Sequence, residues 1–305
     1  MSVVVTFSFV LLLMALGRAL AWRRLVPDSA PDALNGVVLY VCMPASILLQ
    51  VPRLEFSAAT LGVVLVPWIL VALCTLLVLT AARLFPLQRS DTAVLLLEVP
   101  LGNTSFLGYA LIPVLASPAA LPFAVLYDQL GSFLLLSTFG LGVIAIYSGG
   151  PRPTPAAVLL RVLRFPPFVA LVLALSVVPA ELPSAIAALL QQLANAMLPL
   201  VGLALGMQLR LRLPPAQRLV LTLGLAGKLL LMPALALLLC LAMGLKAEAR
   251  AAVVLESAMP PMITAAALAC LARLSPELSS ALVGYGVVLS MLSLPFWQWL
   301  LSHCA

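Results

Sequence analysis

Long runs of Leu, Ala and Val alternate along the chain with short clusters of charge, and each run is about as long as a helix needs to cross a hydrocarbon core, roughly 20 residues. This pattern predicts ten spans, at 3–21, 33–50, 58–81, 92–116, 120–147, 166–179, 185–207, 217–243, 249–271 and 278–301. None has the short two-residue alternation of a membrane barrel strand, so the backbone must satisfy its hydrogen bonds inside helices. The fold class is therefore all-α integral membrane, with short connections and no soluble domain.

Two spans carry breakers in their interiors. The fourth runs through Glu98-Val99-Pro100-Leu101-Gly102-Asn103-Thr104-Ser105 to Gly108, and the ninth through Glu256-Ser257-Ala258-Met259-Pro260-Pro261-Met262-Ile263-Thr264. A proline inside a helix removes one donor and clashes with the preceding turn, and the ninth span does this twice in succession. Laid together at an offset of 158, Ala93–Glu98 matches Ala251–Glu256, and a weaker echo at 155 pairs Pro44 with Pro199. Five spans per half is an odd number, so residues 1–150 and 151–305 read as two inverted five-helix repeats. Secondary transporters of that architecture place paired discontinuous helices at the membrane midplane. The expectation is that both spans are interrupted, near 100–105 and 259–262, with the breaks side by side. The competing reading is a pair of ordinary kinks in packed helices, which membrane helices also carry.

Composition sharpens this picture. The chain is 64% apolar and 9% charged, with a mean hydropathy of +1.21, far from the soluble norm of about a quarter charged. The first run has no basic residue before it and arginines after it, so it reads as a retained span and not as a cleaved signal. With the N-terminus outside, twelve cations (Arg18, Arg23, Arg24, Arg83, Arg89, Arg152, Arg161, Arg164, Arg210, Arg212, Arg218, Arg273) fall on inner flanks. Three, Arg53, Lys246 and Arg250, fall outside, which fits the positive-inside rule with both termini outside. The pI near 9.4 then reflects topology, and no aromatic-interleaved basic patch points to nucleic acid. The five cysteines, Cys42, Cys74, Cys240, Cys270 and Cys304, stand singly, without metal-ligand spacing, and read as packing residues. The single histidine, His303, lies two residues from the end, and no nucleophile elbow, metalloprotease helix or phosphate loop is present. An enzyme is not expected, nor a metal site or cofactor.

Four ionisable residues fall inside spans, where a charge costs at least about 2.5–3.5 kcal/mol and is rarely kept without use. Lys228 lies near the middle of its span and either neutralises a protein carboxylate or meets the substrate. Glu98 and Glu256 lie nearer span ends. Asp128, in Tyr127-Asp128-Gln129, reads as the better candidate for handling a coupling proton or sodium ion. A plain Asp128–Lys228 pair is the alternative. Half-helix N-termini carry about half a positive charge, so a central site built from the two breaks suits an anion, with a carboxylate as the natural guest. Asn103, Thr104, Ser105, Pro260, Pro261, Thr264 and Pro44 are the candidate substrate-binding residues.

At these residues the chain resembles the auxin efflux carrier family. Gly102-Asn103-Thr104-Ser105-Phe106-Leu107-Gly108 and Glu256-Ser257-Ala258-Met259-Pro260-Pro261 match its two signature segments, and Met43-Pro44 and Tyr127-Asp128 extend the likeness over most of the chain. The resemblance implies ten helices in two inverted repeats, with helices 4 and 9 broken and crossing. It also implies a scaffold of helices 1, 2, 6 and 7, a mobile transport domain of helices 3–5 and 8–10, and a homodimer. Bacterial relatives are described as carriers of malate, malonate and similar carboxylates. The second signature often has asparagine where this chain has Thr264, which keeps a hydrogen-bonding group but loses the amide donor. The short 148–165 connection resembles compact prokaryotic members. The expected function is elevator-like carriage, as efflux, of small organic anions across a bacterial inner membrane, with the lipid bilayer and the substrate as partners. A cation-coupled symporter or antiporter of the same fold, or a non-transporting membrane receptor, is the alternative.

Overall fold

The computed structural model describes residues 3–53, 58–85, 87–149, 154–209 and 217–303. Arg152, Arg210, Arg212 and Cys304 lie outside them. Thirteen helices occur among the described residues. They are α1 (Val3–Trp22), α2 (Ala30–Gln50), α3 (Ala58–Leu84), α4 (Arg89–Glu98), α5 (Thr104–Leu115), α6 (Pro118–Ser148) and α7 (Pro155–Leu163). The second half holds α8 (Pro166–Ser176), α9 (Ser184–Gln208), α10 (Arg218–Ala242), α11 (Ala247–Ala258), α12 (Ile263–Leu271) and α13 (Pro276–His303). Six of them, α2, α3, α6, α9, α10 and α13, are long and apolar enough to cross a membrane, and the bent pair α7 and α8 makes a seventh candidate. The chain is thus an all-helical, multi-pass membrane protein.

Helix α7 is new relative to the sequence expectation, which left 148–165 as a connection. Thr154 caps it, its hydroxyl accepting from Ala157 N at 3.3 Å, and Pro155 occupies the first turn, where a missing N–H costs nothing. The chain then turns by 68° into α8. Phe165, which precedes Pro166, is forced to extended backbone with ψ 115°, and that ends α7.

The fourth span is interrupted between α4 and α5, and the ninth between α11 and α12. In the first break Pro100 ends the ladder, whose last rung is Val99 N to Leu95 O at 3.1 Å. In the second, Met259 precedes Pro260 and is extended with ψ 146°. The two extended pieces lie against each other as a single antiparallel bridge, Gly102 to Pro261. Asn103 N donates to Pro260 O at 2.8 Å and Met262 N to Leu101 O at 3.0 Å, so amides and carbonyls freed by one break are satisfied by the other. Gly102 permits the approach, because a Cβ there would stand 3.0 Å from Lys228 Nζ and 3.2 Å from Glu256 O.

Away from this crossing, α1 packs on the second half of α9 through small residues. A Cβ on Gly206 would lie 2.0 Å from Met14 O, and one on Gly17 would lie 2.2 Å from Leu203 O. The spacing Gly202-x-x-x-Gly206 lets backbones touch, the usual device of helix pairs in lipid. Gly206→Leu is expected to force the pair apart and to cost about 1–3 kcal/mol, as other overpacked interfaces do. Thermal unfolding in detergent, with Gly36→Ala as the control because nothing lies within 4 Å of its Cβ position, checks this. An unchanged midpoint for Gly206→Leu would show that the contact carries no weight.

Candidate functional site

The residues around the crossing are polar and closed off. Asn103 is 2% exposed, Lys228 1%, and Thr104, Asp128 and Glu256 are fully buried. Thr104, Asp128 and Lys228 are each placed by an irregularity in a helix, whereas Glu256 lies in the regular helix α11. Thr104 and Ser105 begin α5, whose first turn is a π-helical stretch, Thr104–Gly108; Asp128 lies in the π stretch Tyr127–Ser132 of α6, and Lys228 in the π stretch Gly227–Leu231 of α10. Such bulges recur at functional sites because they re-aim side chains without ending the helix.

Asp128 is the most fully satisfied group of the set. Its Oδ1 accepts from Thr104 Oγ1 at 2.5 Å and Ser105 Oγ at 2.7 Å, and its Oδ2 from Tyr109 Oη at 2.9 Å and Gln129 Nε2 at 2.6 Å. Ser105 Oγ also lies 2.8 Å from Oδ2, and Gln129 Nε2 lies 3.2 Å from Tyr109 Oη. The carboxylate therefore faces the first turn of α5, where the helix dipole favours a negative charge. The hydroxyls of Thr104 and Ser105, expected from sequence to meet a substrate, are turned to this protein carboxylate. The position in the second half that corresponds to Asp128 at the repeat offset is Gly286 (286 − 128 = 158), and a Cβ there would lie 2.5 Å from Pro261 Cδ.

The remaining ionisable groups are poorly partnered. Lys228 Nζ donates to Ser257 O at 3.1 Å and forms no ion pair among the described residues, so the alternative Asp128–Lys228 pair is not present. Glu98 Oε1 accepts from Ser279 Oγ, while Oε2 has no partner. Both oxygens of Glu256 lack partners and lie on Gly108, where a Cβ would stand 2.4 Å from Oε2. Asn103 Nδ2 is buried with its donors unused, as is the acceptor Gln129 Oε1. Native interiors leave few polar groups in this state, and those left so tend to mark a ligand site or a proton site.

Pro260 and Pro261 are buried in the crossing. Thr264 is exposed on the first turn of α12, and Pro44 is half-buried in α2. Sequence reading missed Tyr109, Gln129 and Ser279 as partners of the acids. Tyr109 and Gln129 flank motifs that were singled out, but Ser279 carries no local signal. A cavity of about 310 Å³ lies at the start of α11 and the ends of α5 and α13, among Leu115, Ser117, Glu248, Arg250, Leu255 and Gln298. A larger apolar cavity of about 560 Å³ lies between α3 and α10, lined by Cys74, Leu77, Val99 and Leu230.

A bundle of long apolar helices enclosing two joined breaks and buried unpaired charge defines a multi-pass membrane protein with a polar centre. The family model described as membrane transport protein matches residues 2–146 and 152–298, and the chain belongs to this family, which includes the auxin efflux carriers. It is 29% identical over 297 residues to an uncharacterized transporter of Methanothermobacter thermautotrophicus, covering 96% of each chain. An uncharacterized transporter of Methanocaldococcus jannaschii is 26% identical over 309 residues, covering 96% of this chain and 97% of its own.

Proposed function

We propose that the protein is a secondary carrier of small organic anions, with ten spans in two inverted repeats and the crossing of the fourth and ninth spans as its substrate site. The observation that carries this reading is the joined pair of breaks with a buried, unpaired lysine beside it. A carboxylate brought to the crossing would find Lys228 Nζ and Asn103 Nδ2 as donors, and binding would satisfy both. The inverted repeat is supported by the match of Ala93–Glu98 to Ala251–Glu256, since each segment ends a helix at a break. α1, α2, α8 and α9, which include the spans assigned to a scaffold, pack on one another, as a separate body should. The first half of α9 exposes Gln191, Gln192 and Asn195 together with Leu189, polar groups that lipid cannot satisfy. A second copy covering them accounts for a homodimer.

Counterflow of radiolabelled dicarboxylates and aromatic acids in proteoliposomes tests the function. Saturable exchange of any one of them supports a carrier, and binding without exchange would make the protein a receptor. Asn103→Ala is expected to remove one hydrogen bond to a charged ligand, worth about 1.5–3 kcal/mol, or roughly a tenfold to hundredfold loss of affinity. A role confined to packing predicts unchanged affinity with stability lowered by about 0.6 kcal/mol. Substrate affinity and thermal stability measured on one preparation separate the two.

A further inference from the structure

The reading above leaves Glu256 unused. Its side chain is fully buried, neither oxygen has a hydrogen-bond partner, and it rests against the backbone of Gly108 in the last turn of α11. An isolated charged carboxylate in a dry interior costs far more than a neutral acid, and the negative end of a helix dipole adds to that cost. Asp128 differs on each count, because four side chains donate to it. Among the described residues no cluster of three or more His, Cys, Asp or Glu side chains is placed to share a metal ion, and no side chain donates to Glu256. A proton needs a single oxygen.

We propose that Glu256 is the coupling group of the carrier and holds one proton whenever Lys228 does not pair with it, an inference that rests on the anion-carrier reading. The titratable groups around it are Asp128 and Tyr127 of α6, Tyr109 of α5 and Lys228 of α10. Lys228 decides how coupling works, because its ammonium is already bonded to the carbonyl of Ser257, the next residue after Glu256. When a substrate carboxylate takes Lys228, Glu256 carries the proton. When the substrate leaves, the proton leaves Glu256 for water, and the resulting carboxylate pairs with Lys228. Both forms leave Lys228, Glu256 and the one bound carboxylate group without net charge, so the site crosses the membrane either with one proton and one carboxylate group or with neither. A lone charged lysine or a lone charged glutamate is the form that cannot move.

The test uses wild type and Glu256→Gln in proteoliposomes, with the best substrate from the counterflow panel and a gradient of about one pH unit, worth a factor of about 10 in accumulation at one proton per carboxylate. Wild type is expected to accumulate substrate with the gradient, and a trapped pH dye to report proton entry alongside it. Glu256→Gln is expected to keep exchange at equal pH and to lose both responses. Retention of the full gradient response by the variant, or a response that follows sodium instead, overturns the proposal. If the variant loses exchange altogether, wild-type proton entry decides: none per substrate carried overturns the coupling. If wild type exchanges nothing, the carrier reading has failed by itself. Infrared spectra in detergent then judge Glu256 alone, since a protonated carboxyl band that grows on acidification in wild type and is missing from the variant supports a proton site there, and spectra identical at every pH refute it.

Discussion

Replacing Lys228 with methionine is expected to weaken substrate binding by the largest factor of any single change while leaving the protein at least as stable. The lysine is 1% exposed and bonded only to the carbonyl of Ser257, so the folded protein carries most of the cost of burying an ammonium. Removing it removes that cost, and methionine keeps the length and most of the volume. A bound carboxylate, by contrast, would be left in a buried site without its cation, a loss on the order of 2–5 kcal/mol. That corresponds to about thirtyfold to several thousandfold in affinity. Equilibrium binding and thermal unfolding on the same sample check both halves of the statement. A fall in stability with intact binding would show that Lys228 is a structural partner of Glu256 and not a substrate ligand.

The second large effect is expected at Asp128, and it is a loss of stability. Thr104, Ser105, Tyr109 and Gln129 all donate to its carboxylate. Asparagine would keep one acceptor oxygen and put an amide donor where the other stood. At least two buried donors would then face a donor or nothing, at about 1–3 kcal/mol each, or about 2–6 kcal/mol together. The start of α5 should loosen with it, because two of those donors are its first residues. Hydrogen exchange of the α5 amides and the thermal midpoint are the measurements. A variant as stable as wild type that has lost its response to proton and sodium gradients would instead return the coupling role to Asp128.

Much of this arrangement was legible in the sequence because its causes are local. Pro67, Pro113 and Pro295 stay inside continuous helices, but Pro100 followed by Gly102, and the doubled Pro260-Pro261, mark the two breaks, and a shared offset of 158 ties the two segments together. The buried acids and Lys228 were visible as charges inside apolar runs. Their partners were not. Hydropathy gives a residue's depth in a span but not the direction it faces, so an Asp128–Lys228 pair stood as the alternative reading, and the two do not pair. Tyr109 lies 19 residues from Asp128 and Ser279 lies 181 from Glu98, and each meets its acid only through the packing of separate helices. Helix α7 escaped notice because its Thr154 cap and Pro155 lie in a stretch too short to stand out as a span.

The joint between the two breaks is made from Leu101 O, Asn103 N, Pro260 O and Met262 N, which are main-chain atoms. Every amino acid but proline supplies the same amide, so the joint is indifferent to almost any exchange of side chain at 103 or 262. Selection can therefore rewrite the chemistry presented there, asparagine for serine or methionine for leucine, without first dismantling the joint that holds the two breaks together. On the proposal that substrate binds at the crossing, cargo preference and the integrity of the joint vary separately. A proline at either amide position is the substitution that would tie them together, by deleting a rung.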